Sequence, residues 1–241
     1  MDLSFAEEYQ ETAQKYLEEI FKKEKISMVS TRNKIFSSEL LKLKILGNKT
    51  LSLLHELQQL TGINPTTIDV DNKETLELFY NADTLCISEF ETNIDMNIIK
   101  EIKPTNFEEL IKIYGLSYGT DVWSGNMQDL ISNGTIKFKD AITTRDDIMN
   151  YLILKGLEPE CAFNIMETIR KGKVRGNREP NWKNYKQIMK KHNIPEWYIL
   201  SCEKISYMFP KAHCVVWAIN TFRLAYYKIH YPEIFKIVKE N

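Results

Sequence analysis

A mainly α-helical protein with a small β segment in its N-terminal part is what this sequence predicts, and three observations predict it. Apolar residues recur at three- and four-residue steps through most of the chain, the spacing of helices that bury one face. Pro159, Pro195, Pro210 and Pro232 fall between these periodic stretches, where proline starts or stops a helix without breaking one. The run ISMVS, Ile26 to Ser30, is too short and too β-branched for the same pattern and reads as β-capable.

In chain order, Phe5, Tyr9, Ala13, Tyr16, Leu17 and Ile20 set a helical repeat for the first segment, with its acids outward. After ISMVS, Ser37 and Ser38 precede ELLKLKILGN, so a β remnant is expected near residues 26–46. Thr50 is a candidate cap for a helix through LSLLHELQQL that Gly62 ends. Pro65 fixes a turn, and Asn72 or Asp71 caps a helix around Glu74 to Tyr80. Further helices are expected over 93–101, 106–114, 123–132, 145–155, 160–171, 181–192, 195–207 and 211–230. No internal repeat or low-complexity tract interrupts them. A boundary near 62–72 divides the chain into residues 1–62 and 63–241.

Composition narrows the class. The 241 residues, 43% hydrophobic and 27% charged, can bury a core and form one or two domains. No apolar run reaches a membrane span, and MDLSFAEEYQ has an acidic flank where a signal peptide needs a basic one, so a cytoplasmic protein without membrane contact is expected. Cys86, Cys161, Cys202 and Cys214 form no C-x₂-C pair and read as reduced, mostly buried thiols. A net charge of −1 argues against a wholly basic nucleic-acid binder, but it hides a local asymmetry. Arg170, Lys171, Lys173, Arg175, Arg178, Lys183, Lys186, Lys190 and Lys191 have Glu179 as the only acid within their stretch, which makes a polyanion-sized patch.

Several chemistries drop out. DVDNKETLELFY opens like a calcium loop, but Glu74 stands where the turn needs glycine and Tyr80 where the bidentate glutamate belongs. No phosphate loop, dinucleotide fingerprint or H-E-x-x-H motif occurs. His55, His192, His213 and His230 are too scattered for a cluster to be read from spacing.

Three segments carry positive content. In GLSYGTDVWSGN, Gly115, Gly119 and Gly125 permit close backbone approach, and Ser117, Thr120 and Asp121 can cap a helix entering at Val122. Two readings stay open: an ordinary capped turn, or backbone amides that hold a phosphate. In TTRDDIM, Arg145 precedes Asp146 and Asp147, so it either forms a local ion pair or grips phosphate oxygens. In VRGNREPNWKNY, Arg175, Arg178 and Trp182 combine charge with a stacking surface.

These motifs, with KGLEP, IMETIRKGK, PEWYILSC, YMFPKAH and RLAYYKIHYP, resemble the fingers region of PolC-type replicative DNA polymerases, the alpha chain of DNA polymerase III in low-GC Gram-positive bacteria. The resemblance covers nearly all of this chain but only part of such a polymerase. It implies a helical fingers-like domain of a C-family polymerase with a pruned palm. It also implies a nucleotide site from Arg145, Tyr207, Phe209, Lys211, His213 and Arg223. DNA contacts are implied at Ser117, Gly119, Thr120, Arg170, Lys171, Lys173, Arg175, Arg178 and Lys183. There are departures. Tyr118 replaces a histidine, Cys214 to Trp217 replace small alanines, and the stretch around Arg175 and Arg178 is more cationic than the family pattern.

Nucleotidyl transfer requires carboxylates that hold two Mg²⁺ ions. Asp2 matches one such aspartate, while Lys44 stands where the resemblance implies another. No catalytic set is intact, so Mg²⁺ is expected only if a partner supplies carboxylates. The leading expectation is a catalytically defective polymerase relative, from a mobile or phage-like setting, that binds DNA, a deoxynucleoside triphosphate or replication proteins and modulates replication. One alternative is a subunit of a split DNA polymerase. The other is a helical interaction scaffold without substrate binding.

Overall fold

The computed structural model describes residues 2–21, 43–87, 90 and 93–240. The run ISMVS and the serines Ser37 and Ser38 lie outside these residues. As expected, the described chain is mainly helical, with twelve α-helices and one small parallel sheet of two strands. No helix among the described residues is long and apolar enough to cross a membrane.

One compact unit comprises residues 1–68 and 226–241. It contains β1 (Asp2–Phe5), α1 (Gln10–Phe21), β2 (Lys44–Gly47), α2 (Lys49–Thr61) and α12 (Pro232–Glu240). The strands pair in parallel with Asp2 opposite Lys44, Leu3 opposite Ile45 and Phe5 opposite Gly47. This corrects the expected first helix: Phe5 fits its period, but alternation of Leu3 and Phe5 suits a strand once KILG supplies a ladder. A turn at Glu7–Tyr9 leads into α1. Asn48, not Thr50, caps α2 by accepting from the Leu51 N–H at 3.1 Å, and Thr50 is buried inside the first turn. Gly62 ends α2 at φ 74°, as expected. The helix α12 is an addition to the sequence reading, which names no helix after Pro232; the proline is its first residue. Phe235 and Val238 of α12 are buried as it packs against α2.

The second unit, residues 69–225, holds α3 (Lys73–Tyr80), α4 (Asn93–Ile102), α5 (Phe107–Tyr118), α6 (Gln128–Ser132), α7 (Arg145–Leu154), α8 (Pro159–Arg170), α9 (Trp182–Lys191), α10 (Glu196–Lys204) and most of α11 (Lys211–His230). Phe79, Phe90, Ile98, Ile113, Tyr114 and Phe222 are almost wholly buried in its core. There Phe90 meets Tyr114 at 4.6 Å and Phe79 stacks on Phe222 at 6.1 Å. Asn72 caps α3 through the Thr75 N–H at 2.9 Å.

Three helix ends differ from the sequence reading, and each shapes the site. α5 runs past Tyr114 to Tyr118 and carries Gly115 inside it. Glycine weakens a helix, but a Cβ at this position would lie 2.5 Å from the Thr143 carbonyl oxygen. Close packing against that backbone is what the glycine permits. The expected helix 123–132 is broken: Ser124 is extended and Gly125 left-handed at φ 68°, so only α6 is regular. Finally, α10 stops at Lys204, and residues 205–210 form an irregular link into α11, with Tyr207 bridged to Thr120.

Candidate nucleic-acid interface

The segment Tyr207 to Lys211 is a strap sewn to three neighbours by its backbone. The Thr120 N–H donates to the Tyr207 carbonyl at 2.9 Å, and the Ser206 N–H donates back to the Thr120 carbonyl at 3.1 Å. The Met208 N–H reaches the Arg170 carbonyl at the end of α8 at 3.3 Å. The Arg145 N–H donates to the Phe209 carbonyl at 3.1 Å, and the Lys211 N–H to Asp146 Oδ2 at 2.6 Å. Pro210 offers no N–H, so no donor is left unsatisfied there at the turn into α11. The strap therefore brings the first residue of α7 and the first turn of α11 together.

Along this strap the rings form a continuous row. Tyr207, 40% exposed, packs edge-on to Phe209 at 5.0 Å, and His213 stacks on Phe209 at 5.1 Å and 17°. Trp217, one helical turn on, tilts against His213 at 5.3 Å, and Tyr118 of α5 meets Trp217 at 5.4 Å. Two of the departures from the polymerase pattern, Tyr118 and Trp217, are thus direct neighbours. Both support the Phe209–His213 pair, a role that spacing could not reveal because they lie on different helices.

Arg145 sits half-buried at the start of α7. The local ion pair left open by the sequence does not form. Asp147 accepts from the Thr143 and Thr144 N–H groups at 2.9 and 2.8 Å, and Asp146 serves Lys211. The Arg145 guanidinium has no ion partner among the described residues. Lys211 extends its Nζ toward Glu108 at 3.8 Å. Arg223 shares α11 with His213 but stands ten residues further on, about 15 Å along the axis. The structure therefore gathers Arg145, Tyr207, Phe209, Lys211 and His213, while Arg223 lies apart from them.

The loop motif is built differently from the expected capped turn. Ser117 lies within α5, where its hydroxyl donates to Asp95 of α4. The Gly119 N–H returns to the Gly115 carbonyl at 3.2 Å, and Thr120 is bridged to Tyr207. The Gly119 and Thr120 amides thus already have backbone partners and are not free donors for a phosphate. Asp121, left-handed at φ 60°, pairs instead with Arg175. That guanidinium, aided by Ser206, holds its carboxyl below the usual range.

Acids from outside the stretch also fold onto the basic patch, which corrects its expected charge. Glu167 takes both Arg170, at 2.9 Å to Nη2, and Lys171, at 2.6 Å. Arg170 above all, opposed by partial burial and helped by Lys171, lowers the Glu167 carboxyl to about 2. Glu203 accepts from Lys186 at 2.9 Å and from the Trp182 ring N–H at 2.7 Å, and Lys190 meets Glu196 at 3.1 Å. Trp182 is therefore an anchor between α9 and α10, not a free stacking surface. Lys173 and Lys183 are exposed without an ion partner among the described residues, while the Arg178 guanidinium donates to the Gly172 carbonyl at 3.5 Å.

The thiols are free, but only Cys202 and Cys214 are buried; Cys86 is exposed. Burial first, then the Asp147 and Asp146 charges, push the Cys214 thiol up to about 12.

Known proteins similar to this chain agree with one another. The family model described as the bacterial DNA polymerase III alpha subunit finger domain matches residues 50–193. DNA polymerase III PolC-type of Halalkalibacterium halodurans is 47% identical over 210 residues, covering 81% of this chain and 14% of that relative. The PolC-type polymerase of Caldanaerobacter subterraneus subsp. tengcongensis is 44% identical over 213 residues, covering 83% and 15%. That of Bacillus subtilis is 44% identical over 210 residues, covering 81% and 14%.

Proposed function

Because this chain belongs to the bacterial DNA polymerase III alpha subunit finger-domain family, while spanning about a seventh of its PolC-type relatives, we propose that it binds primer–template DNA and a deoxynucleoside triphosphate without transferring the nucleotide, and so modulates DNA replication. The observation that carries the binding half is the state of Arg145. Its neighbours Asp146 and Asp147 serve backbone N–H groups, so a guanidinium remains for triphosphate oxygens beside the Tyr207, Phe209 and His213 rings. Lys211 adds a second cation at the start of α11, where an anion also gains from the helix dipole.

What supports the defect is the strand register. Lys44 is the direct partner of Asp2, the one residue matched to a metal-binding aspartate. An ammonium group repels Mg²⁺, so a lysine in place of an aspartate argues against metal-assisted transfer by this chain. Mg²⁺ enters only with carboxylates from another chain. That split-polymerase reading keeps the same fingers and adds a partner, and the lysine counts against it.

Fluorescence anisotropy on labelled primer–template, with and without the complementary deoxynucleoside triphosphate, tests the reading. The nucleotide should tighten binding by the wild type, and Arg145→Ala should remove that tightening, about 10-fold or more for the loss of a charge-assisted hydrogen bond. Binding of neither ligand at micromolar protein would leave only an inherited scaffold. Mg²⁺-dependent primer extension with added replication proteins would establish the split polymerase instead.

A further inference from the structure

Two small clefts flank Arg175, and their charges differ. One, of about 340 Å³, is lined by Asp121, Ser124, Gly125, Arg175, Glu203 and Lys204, so its two carboxylates balance its two cations. The other, of about 280 Å³, is lined by Gly172, Arg175, Gly176, Arg178 and Ser206, with two guanidinium groups and no carboxylate. We propose that this second cleft is a notch for a single phosphate group. It shares no residue with the site around Arg145, and it uses the bases that set this stretch apart from the polymerase pattern.

The geometry prepares Arg175 for that role. Its Nη1 reaches both Asp121 and, at 3.0 Å, the Lys204 carbonyl, which fixes the guanidinium from one side. The Nε and Nη2 donors have no partner among the described residues, out of the five N–H groups a guanidinium carries. A group already held in place loses little freedom on binding, so its remaining donors suit a bidentate contact to phosphate oxygens. Arg178 lies over Gly176: a Cβ there would come within 2.8 Å of its Nε. Gly172, left-handed at φ 61°, lets the floor close against Ser206, whose carbonyl oxygen would stand 2.4 Å from a Cβ at that position. Two glycines thus keep side chains out of the notch while two arginines border it.

The phosphate belongs either to a nucleic-acid backbone or to a free anion such as a nucleotide's diphosphate tail. Only the first source rests on the DNA-binding part of the function proposed above. The test uses the full chain with Arg178→Gln and, separately, Gly176→Ala, which displaces the Arg178 guanidinium while leaving Arg175 on Asp121. Inorganic pyrophosphate is titrated calorimetrically without Mg²⁺, and a labelled oligothymidylate is titrated over a range of salt.

A free-anion notch predicts that both variants weaken pyrophosphate about tenfold, with the oligonucleotide salt slope unchanged. A backbone notch predicts a slope reduced by about 0.7 for every phosphate that the variant no longer neutralises. Unchanged pyrophosphate affinity and unchanged slope in both variants overturn the notch, as does a wild type that binds neither probe. If the notch signals appear but the nucleotide effect at Arg145 does not, the notch stands and the substrate-binding reading falls. The reverse result removes the notch alone.

Discussion

Asp146 and Asp147 adjoin Arg145 in sequence, yet neither pairs with it, because the start of α7 and the strap leave backbone N–H groups that a carboxylate satisfies better. Asp147→Ala should therefore cost about 0.5–2 kcal/mol of stability in chemical denaturation, as loss of a helix cap does. Glu167 offers a pH test. Its carboxyl falls from an ordinary 4.5 to about 2 in the fold, so its contribution is complete above about pH 4.5 and lost as pH falls toward 2. Glu167→Gln should flatten the acid limb of the stability profile in that window, which acid titration of the folded fraction would show. Thiol labelling should modify Cys86 rapidly and Cys202 and Cys214 only on unfolding. At this scale the sequence is least legible. The residues Asp121, Glu203 and Glu196 lie outside the basic run that they neutralise, so no local window could show the pairing.

The helices themselves are readable, since a face of apolar residues at three- and four-residue steps decides that a helix exists. Their ends are not. The apolar repeat suggests an end before Gly115, yet the glycine lies inside α5, at the point where the helix passes close to the Thr143 backbone. Gly115→Ala should destabilise the protein by about 1–3 kcal/mol through overpacking, even though alanine favours helices, and a melting curve would show it. The end of α10 at Lys204 follows from long-range backbone bonds to Thr120, Arg170 and Arg145, none of which a propensity can encode. Tyr118 on α5 and Trp217 on α11 should behave as a coupled pair. A double-mutant cycle to alanine should give an interaction of about 0.5–1.5 kcal/mol, and additive effects would mean that they only fill space separately.

The whole molecule, in the proposed function, carries a substrate-binding face in one unit and an altered strand pair in the other. Its family is legible because the motifs sit where backbone geometry leaves little choice: a strap with proline, a glycine in close contact, and an arginine at a helix start. The parallel pairing of β1 with β2 is hidden, since Phe5 fits a helical period equally well, and with it the direct register of Asp2 and Lys44. The most direct test is a titration of labelled primer–template in Mg²⁺ with the next complementary or a non-complementary deoxynucleoside triphosphate, followed in the same samples by primer length. Tighter binding with the complementary nucleotide alone, and a primer that stays its original length, is the predicted result. An extended primer, or binding indifferent to the nucleotide, would contradict it.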